Sequence, residues 1–404
     1  MATAIDPRLR AFAEVIVRIG LNLRRGQRLV IAEPYELHGV DPAAAPLVDA
    51  VEAAARDAGT AGVEVLWGDP AALRRWAENN DERAFVTHVA AHASRMRSAL
   101  QSRDALLFLQ SGPARTLAAP GATRAGWPAL AWERFGPLVQ EFMAGATNWT
   151  AAPAPTPDWA DTVYPERPAP ERPGAMWDDV LGSLRLPVDG PAVPGPAPEK
   201  AIAAAALTDW TAHLSSLLLA AAELNRRCVR RVRFRGEGTD LEVALPAAHR
   251  WCSAQLRTRD GHPFVANLPT EEIFTAPDQR SARGRIRVAH PIVHGGVVIE
   301  GLELAFEDGE VVAATARRGA AAFEAFLATD DGARRLGEIA WLPAPSRVAR
   351  GRRFGLPLLD ENAAPHVALG ESYAFTSSRS GDPRLNRSRV HLDLPLDAEV
   401  TFID

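Results

Sequence analysis

Near residue 228 the spacing of apolar residues changes, and the change divides the chain into two kinds of fold. Before it, apolar residues recur every three to four positions, interrupted by short continuous apolar runs. Leu9, Phe12, Val15, Ile16 and Ile19 share one helical face, with Asp6 as N-cap and Pro7 at the first helical position. Residues 28–32, 62–67 and 105–109 read as buried strands, and 40–56, 70–77 and 137–143 as helices. Such alternation predicts an α/β domain, a parallel sheet flanked by helices. After residue 228 the period shortens to two: 229–234, 241–245, 285–288, 297–306 and 311–314 read as strands. Turns at 236–240 and 307–310 join hairpins, and 320–327 reads as a helix. This half predicts a mostly antiparallel β (α+β) domain. With 404 residues the chain is too long for one compact core, so the reading is two domains, 1–227 and 228–404.

The Pro-rich stretch 151–200 carries Trp159, Tyr164 and Trp177, more aromatic surface than a disordered linker holds. It reads as an extended but packed connection, loose only over 190–199. A long helix over 200–227 follows, with Leu207, Trp210, Leu214, Leu217, Leu218 and Leu224 turned inward.

Composition removes several function classes. A formal net charge of -5 gives no basis for binding nucleic acid or an anionic membrane. Lys200 is the only lysine, so Schiff-base chemistry has one candidate, beside the Pro-rich stretch. Cys228 and Cys252 are too few for a disulfide framework or a thiolate cage. No leader-like segment opens the sequence, and no apolar run reads as long enough to span a bilayer, so the expected compartment is the cytoplasm. Dinucleotide, Walker and nucleophile-elbow motifs are absent. His88 and His92 lie one helical turn apart without the glutamate of a His-Glu-x-x-His motif, which reads as surface or helix packing.

The chemistry-bearing residues gather late in the chain. Glu338 follows Gly337 at the mouth of an apolar run, where it is either solvated or a ligand. Glu361 and His366 are separated by Asn362-Ala363-Ala364-Pro365, a loop or short helical turn. His391 and Asp393 are two apart, so on a strand they point the same way, toward one ion or toward solvent. Glu271 and Glu272 are adjacent, so in extended chain they point apart and at most one is a direct ligand. Carboxylate oxygen and imidazole nitrogen together are donors for Zn, Co or Mn.

These residues sit in longer motifs: 267–275, Asn-Leu-Pro-Thr-Glu-Glu-Ile-Phe-Thr; 332–338, Gly-Ala-Arg-Arg-Leu-Gly-Glu; 360–370, Asp-Glu-Asn-Ala-Ala-Pro-His-Val-Ala-Leu-Gly; and 386–393, Asn-Arg-Ser-Arg-Val-His-Leu-Asp. Gly238-Thr239-Asp240-Leu241 and 155–160 fit the same pattern. The sequence resembles the M29 family of metallo-aminopeptidases. The resemblance covers most of the chain and implies a two-metal exopeptidase that removes N-terminal residues from short peptides through a metal-bridged hydroxide. By motif, the implied ligands are Glu272, Glu338 (bridging), His366, His391 and Asp393, with Glu361 as an additional ligand. It implies that Tyr373 hydrogen-bonds the oxyanion, and Glu271 is a candidate to carry the proton to the leaving amine. A homodimer enclosing a cavity is also implied. Two departures stand out: Pro365 where the family has a cysteine, and a different stretch after Asp393. They leave a non-catalytic binding relative, or another metal-dependent amide hydrolase, as the competing readings.

Overall fold

The computed structural model describes residues 7–33, 39–112, 127–187, 198–294, 297–349 and 351–404. It separates into two compact units. The first comprises Met1–His213, Gln255–Pro269 and Arg347–Phe354; the second comprises Leu214–Ala254, Thr270–Ser346 and Gly355–Asp404. The division falls inside the long helix rather than at its end near 228, and the chain returns to the first unit twice.

In the first unit a parallel sheet runs in the order Gly62–Val65, Arg28–Ala32, Ala105–Gln110, Trp149–Pro153. Leu29 to Ala32 and Ala105 to Leu109 are buried without alternation, because a parallel sheet with helices on its faces hides both sides. Helices Pro7–Val15, Ala45–Asp57, Pro70–Asn79, Glu82–Ser102 and Trp127–Met143 accompany it. Asp69 and Asp81 cap two of them by accepting from Ala72 and Ala84 N–H. The N-cap reading at Asp6 and the loose segment up to residue 197 lie outside the described residues.

The Pro-rich stretch is packed, and it is extended only at its start. It forms the fourth parallel strand and then helices Pro157–Val163 and Arg172–Ser183, which bury Trp159 and Tyr164. Thr156 caps the first of these helices by accepting from Trp159 N–H, and proline occupies its first turn, where a missing N–H costs nothing. Proline density here marks helix starts rather than extended chain.

The helix Pro198–Arg227 buries Trp210, Leu214, Leu217 and Leu224, whereas Leu218, read as inward, is 48% exposed. Its Glu199–Arg227 stretch is long and apolar enough, by length and composition alone, to cross a membrane, contrary to the expectation that no run reaches that length.

The second unit holds two main antiparallel sheets. Six strands run Glu310–Thr315, Glu303–Glu307, Arg283–Arg287, Thr239–Ala244, Arg231–Gly236, Glu399–Ile403. The single strand expected over 297–306 is two, Val297–Ile299 and Glu303–Glu307, parted by Gly301 at φ +63. The helix Ala320–Leu327 stands where the periodicity placed it. Four further strands run His391–Pro395, His366–Gly370, Leu336–Trp341, Ile273–Thr275 and carry the candidate site.

Candidate metal centre

The register of the four-stranded sheet sorts its residues onto two faces. Directly paired residues in an antiparallel sheet share a face, and the face alternates along each strand. Val367 pairs with Leu394 and Ile339, and Leu369 with Leu392 and Leu336; this face joins the apolar core. The opposite face carries three rows. His391 pairs with Gly370; Asp393 pairs with Ala368, which pairs with Glu338; His366 pairs with Ala340, which pairs with Phe274. Small residues thus separate the chemical ones. Ala368 stands between Asp393 and Glu338, and longer side chains there would fill the space the carboxylates converge on.

Glu338 reaches this face through a bulge. Simple alternation would put it beside Leu336, which faces the core. The register shifts between Leu336 and Glu338, so Gly337 is the extra residue and Glu338 is turned to the other side. A Cβ on Gly337 would lie 2.3 Å from Gly370 O and 2.5 Å from Glu371 O, so only glycine fits the bulge.

The functional atoms converge. His366 Nε2 is 3.4 Å from Glu272 Oε2, 3.7 Å from Glu338 Oε1 and 3.8 Å from Asp393 Oδ1. His391 Nε2 is 3.3 Å from Asp393 Oδ1 and 3.7 Å from Glu338 Oε2. The two oxygens of Glu338 therefore face different histidines. Two donors bonded to one ion at about 2.0–2.2 Å with a tetrahedral angle lie about 3.4 Å apart, which is the spacing found here. Glu272, Glu338 and His366 offer donor atoms all within 4.8 Å of one another.

Both histidines are set in the tautomer that leaves Nε2 free to bind. His366 Nδ1–H donates to Glu361 O at 3.1 Å, and His391 Nδ1–H donates to Glu371 O at 2.9 Å. Glu272 Oε2 and Glu338 Oε2 are buried without a hydrogen-bond partner. An unpaired buried carboxylate oxygen is costly, and a cation is the partner that relieves it.

Electrostatics point the same way. Burial pushes the Glu272 carboxyl up to about 8 and holds that of Glu361 well above its usual range, with Asp393 and Glu272 adding repulsion at Glu361. Burial pulls the His391 imidazole down, but Asp393 and Glu338 outweigh it and leave it raised to about 9. His366 is likewise raised, Glu272, Glu338 and Asp393 outweighing its burial. Asp393 falls to about 2 because His391 and His366 outweigh its own burial. Metal-free, the cluster thus holds protons that a cation would replace.

Glu361 opens a short turn, Glu361–Ala363, before the strand His366–Gly370, and its own carbonyl is the one that orients His366. Glu271 is 3% exposed, and its backbone N–H donates to Asn362 Oδ1 at 2.7 Å. The Tyr373 ring lies 5.3 Å from that of His391 and stacks on Phe375, with Phe274 edge-on to both. Sequence reasoning named Glu361, Glu271 and Tyr373 but gave no role to Asn362, Ala340, Ala368 or the carbonyl of Glu371. Asn362 lies inside a quoted motif, an uncharged amide among carboxylates, which was its only signal. The rings of His88 and His92 lie 4.3 Å apart, tilted by 41°, on the helix Glu82–Ser102, with Trp76 against His88, as helix-packing residues do.

Comparison with known proteins agrees with the geometry. Residues 5–404 match the family described as thermophilic metalloprotease (M29). Aminopeptidase T of Thermus aquaticus is 32% identical over 409 residues, covering 99% of this chain and 95% of that protein. Aminopeptidase AmpS of Bacillus subtilis is 26% identical, covering 99% and 92%. The solved structure of wild-type AmpT from Thermus thermophilus superposes with a TM-score of 0.84 at 29% identity, covering 99% of this chain and 96% of that one. With a family match along nearly its whole length and a buried nest of carboxylates and imidazoles on one sheet face, the chain belongs to the thermophilic metalloprotease (M29) family.

Proposed function

We propose that the protein is an aminopeptidase that holds two divalent ions and removes N-terminal residues from short peptides. The observation that carries the reading is the convergence of Glu272, Glu338, His366, His391 and Asp393 on one face of one sheet. Charge supports the count of two. With neutral histidines, Glu272, Glu338, Glu361 and Asp393 carry four negative charges when ionised; one divalent ion leaves two uncompensated, and a pair leaves none. Glu338 suits the bridging position, since each of its oxygens faces a different histidine. Zn, Co and Mn all accept this donor set.

Divalent ions bound here supply Lewis acidity, lowering the pKa of water and polarising a carbonyl. The chain's own residues do the rest. Glu271, buried beside Glu272, takes the proton of the attacking water and returns it to the leaving amine. Tyr373, held beside His391, donates its hydroxyl to the oxyanion as it develops. The free α-amine of the substrate would be met by a metal ion or by a carboxylate outside that count. The reading includes a homodimer, as the family resemblance implies, and a cytoplasmic location. It gives the long helix no membrane role, because Leu214, Leu217, Ala221 and Leu224 are buried within the protein.

The test is metal-reconstituted hydrolysis of Leu- and Arg-nitroanilides and tripeptides, with N-acetylated peptides as the negative control. Turnover abolished by chelator and by His391→Ala supports the reading. Stoichiometric metal binding without turnover on any amine-terminal substrate favours a binding protein instead. Cleavage of acetylated peptides or other amides points to a different hydrolase.

A further inference from the structure

We infer that Asn362 is a positioning residue that keys three of the proposed metal-binding residues to one another through a single buried amide; the inference rests on the metal reading above. The three residues come from two separate segments. Glu272 lies just before the strand Ile273–Thr275, whereas Glu361 and His366 lie on the turn and strand that follow residue 360. Sheet register relates His366, through Ala340, to the strand that follows Glu272, but it does not reach Glu361, whose turn Glu361–Ala363 lies outside the ladder.

Asn362 makes the connection and is 0% exposed. Its Oδ1 accepts the backbone N–H of Glu271 at 2.7 Å, which fixes the chain immediately before Glu272. Its Nδ2 donates to Leu358 O at 3.0 Å, closing the turn, and to Glu361 Oε1 at 3.4 Å, holding that carboxylate. The Glu361 carbonyl of the same turn accepts from His366 Nδ1 and so directs Nε2 into the site. The amide has one orientation only: Glu271 N–H needs an acceptor and Leu358 O needs a donor, so a flipped amide loses both bonds. Ionised aspartate keeps the acceptor but loses both donor bonds and sets a second carboxylate against Glu361; protonated aspartic acid keeps one donor in place of two. Alanine loses everything.

His391 is held differently. Its partner Glu371 O belongs to a residue whose own N–H donates to Val390 O, so backbone pairing anchors it without Asn362. The amide therefore governs the Glu272, Glu361 and His366 side of the cluster.

The experiment compares Asn362→Asp and Asn362→Ala with Val367→Ala, a destabilising change on the opposite, apolar face of the same sheet. Binding of Zn and Co ions alone is followed by calorimetry and by the visible spectrum of bound Co(II), and each metal-free variant is melted by circular dichroism. Expected are a loss of metal affinity of about 10–100-fold in the Asn362 variants and an altered Co(II) spectrum, as for other residues that orient ligands. Val367→Ala should melt earlier yet bind metal as the parent does. If Asn362→Asp, folded by its melting curve, binds both metals with unchanged affinity and spectrum, the positioning role is overturned while the metal reading stands. If the parent protein binds no metal, both fall. Should Asn362→Ala fail to fold, Asn362→Asp decides alone.

Discussion

Two buried sheets in this molecule hide opposite kinds of side chain. In the parallel sheet of the first unit, Leu106, Leu107, Phe108 and Leu109 follow one another inside the protein with no polar residue among them. In the four-stranded sheet of the second, Glu338 is 4% and His366 1% exposed, each next to a fully buried aliphatic residue. The first pattern lowers free energy by removing apolar surface from water on both faces. The second does so on one face only; on the other it buries charge, which is unfavourable unless something compensates it. Depth of burial is therefore the same in both, and the alternation of chemistry distinguishes the sheet that carries the candidate metal site.

The largest test of that contrast exchanges a central residue in each sheet. Glu338→Gln should cost about 10³-fold or more in turnover of Leu-nitroanilide, the scale of losing a group that acts in the transition state, while the metal-free protein melts no earlier than the parent. Leu107→Ala should do the reverse, lowering stability by about 2–5 kcal/mol in denaturant titration while the folded fraction keeps its kcat. Equal stability losses from both changes would erase the distinction.

Next in size is Gly337→Ala. The added Cβ meets two backbone oxygens, so the bulge must shift and Glu338 with it. Expected are a stability loss of about 1–3 kcal/mol and metal affinity at least tenfold weaker by calorimetry. Unchanged metal binding would mean that the bulge does not aim the carboxylate.

The pH dependence follows from signs. Glu272 is raised to about 8 and His391 to about 9, so metal-free stability from these groups is present at low pH. For Glu272 it is lost between its ordinary value and about 8; for His391 it is lost as pH rises through about 9. Metal binding requires the deprotonated forms, so affinity should climb from pH 6 to pH 9, about tenfold per pH unit for each proton released. The metal-induced rise in melting temperature should grow across that window, and a rise independent of pH would contradict the charge argument.

The smallest effect belongs to an apolar residue outside both sheets. Leu219, on the long helix, is 71% exposed, so Leu219→Ser should alter stability by no more than about 0.5 kcal/mol. A larger loss in chemical denaturation would show that this face is covered in solution.

Three of the four parallel strands were legible because consecutive aliphatic residues have few other uses, and the helix Ala320–Leu327 because its period is plain; the fourth strand, Trp149–Pro153, was not, since it runs into the Pro-rich stretch. The Pro-rich stretch was misread as extended, since proline also begins helices and only the packing of Trp159 and Tyr164 reveals which applies. Leu218 was read inward because a long apolar helix does not say how much of its circumference its neighbours cover. His391 and Asp393 were legible as one face from their spacing of two. Spacing alone left open which of the adjacent Glu271 and Glu272 faces the cluster; the family motif pointed to Glu272, whose Oε2 stands 3.4 Å from His366 Nε2.

By itself the sequence determined the two-part character of the chain, the donor types available for a cation and the family motifs in which they stand. All of these are properties of local period and composition. Only the tertiary structure decided that Gly337 turns Glu338 away from the core, that Ala340 and Ala368 leave room between the donors, and that one amide at Asn362 ties residue 271 to residue 361. The reason is that register, bulges and hydrogen bonds across 91 residues depend on which segments pair, and pairing is settled by the whole fold rather than by neighbours along the chain.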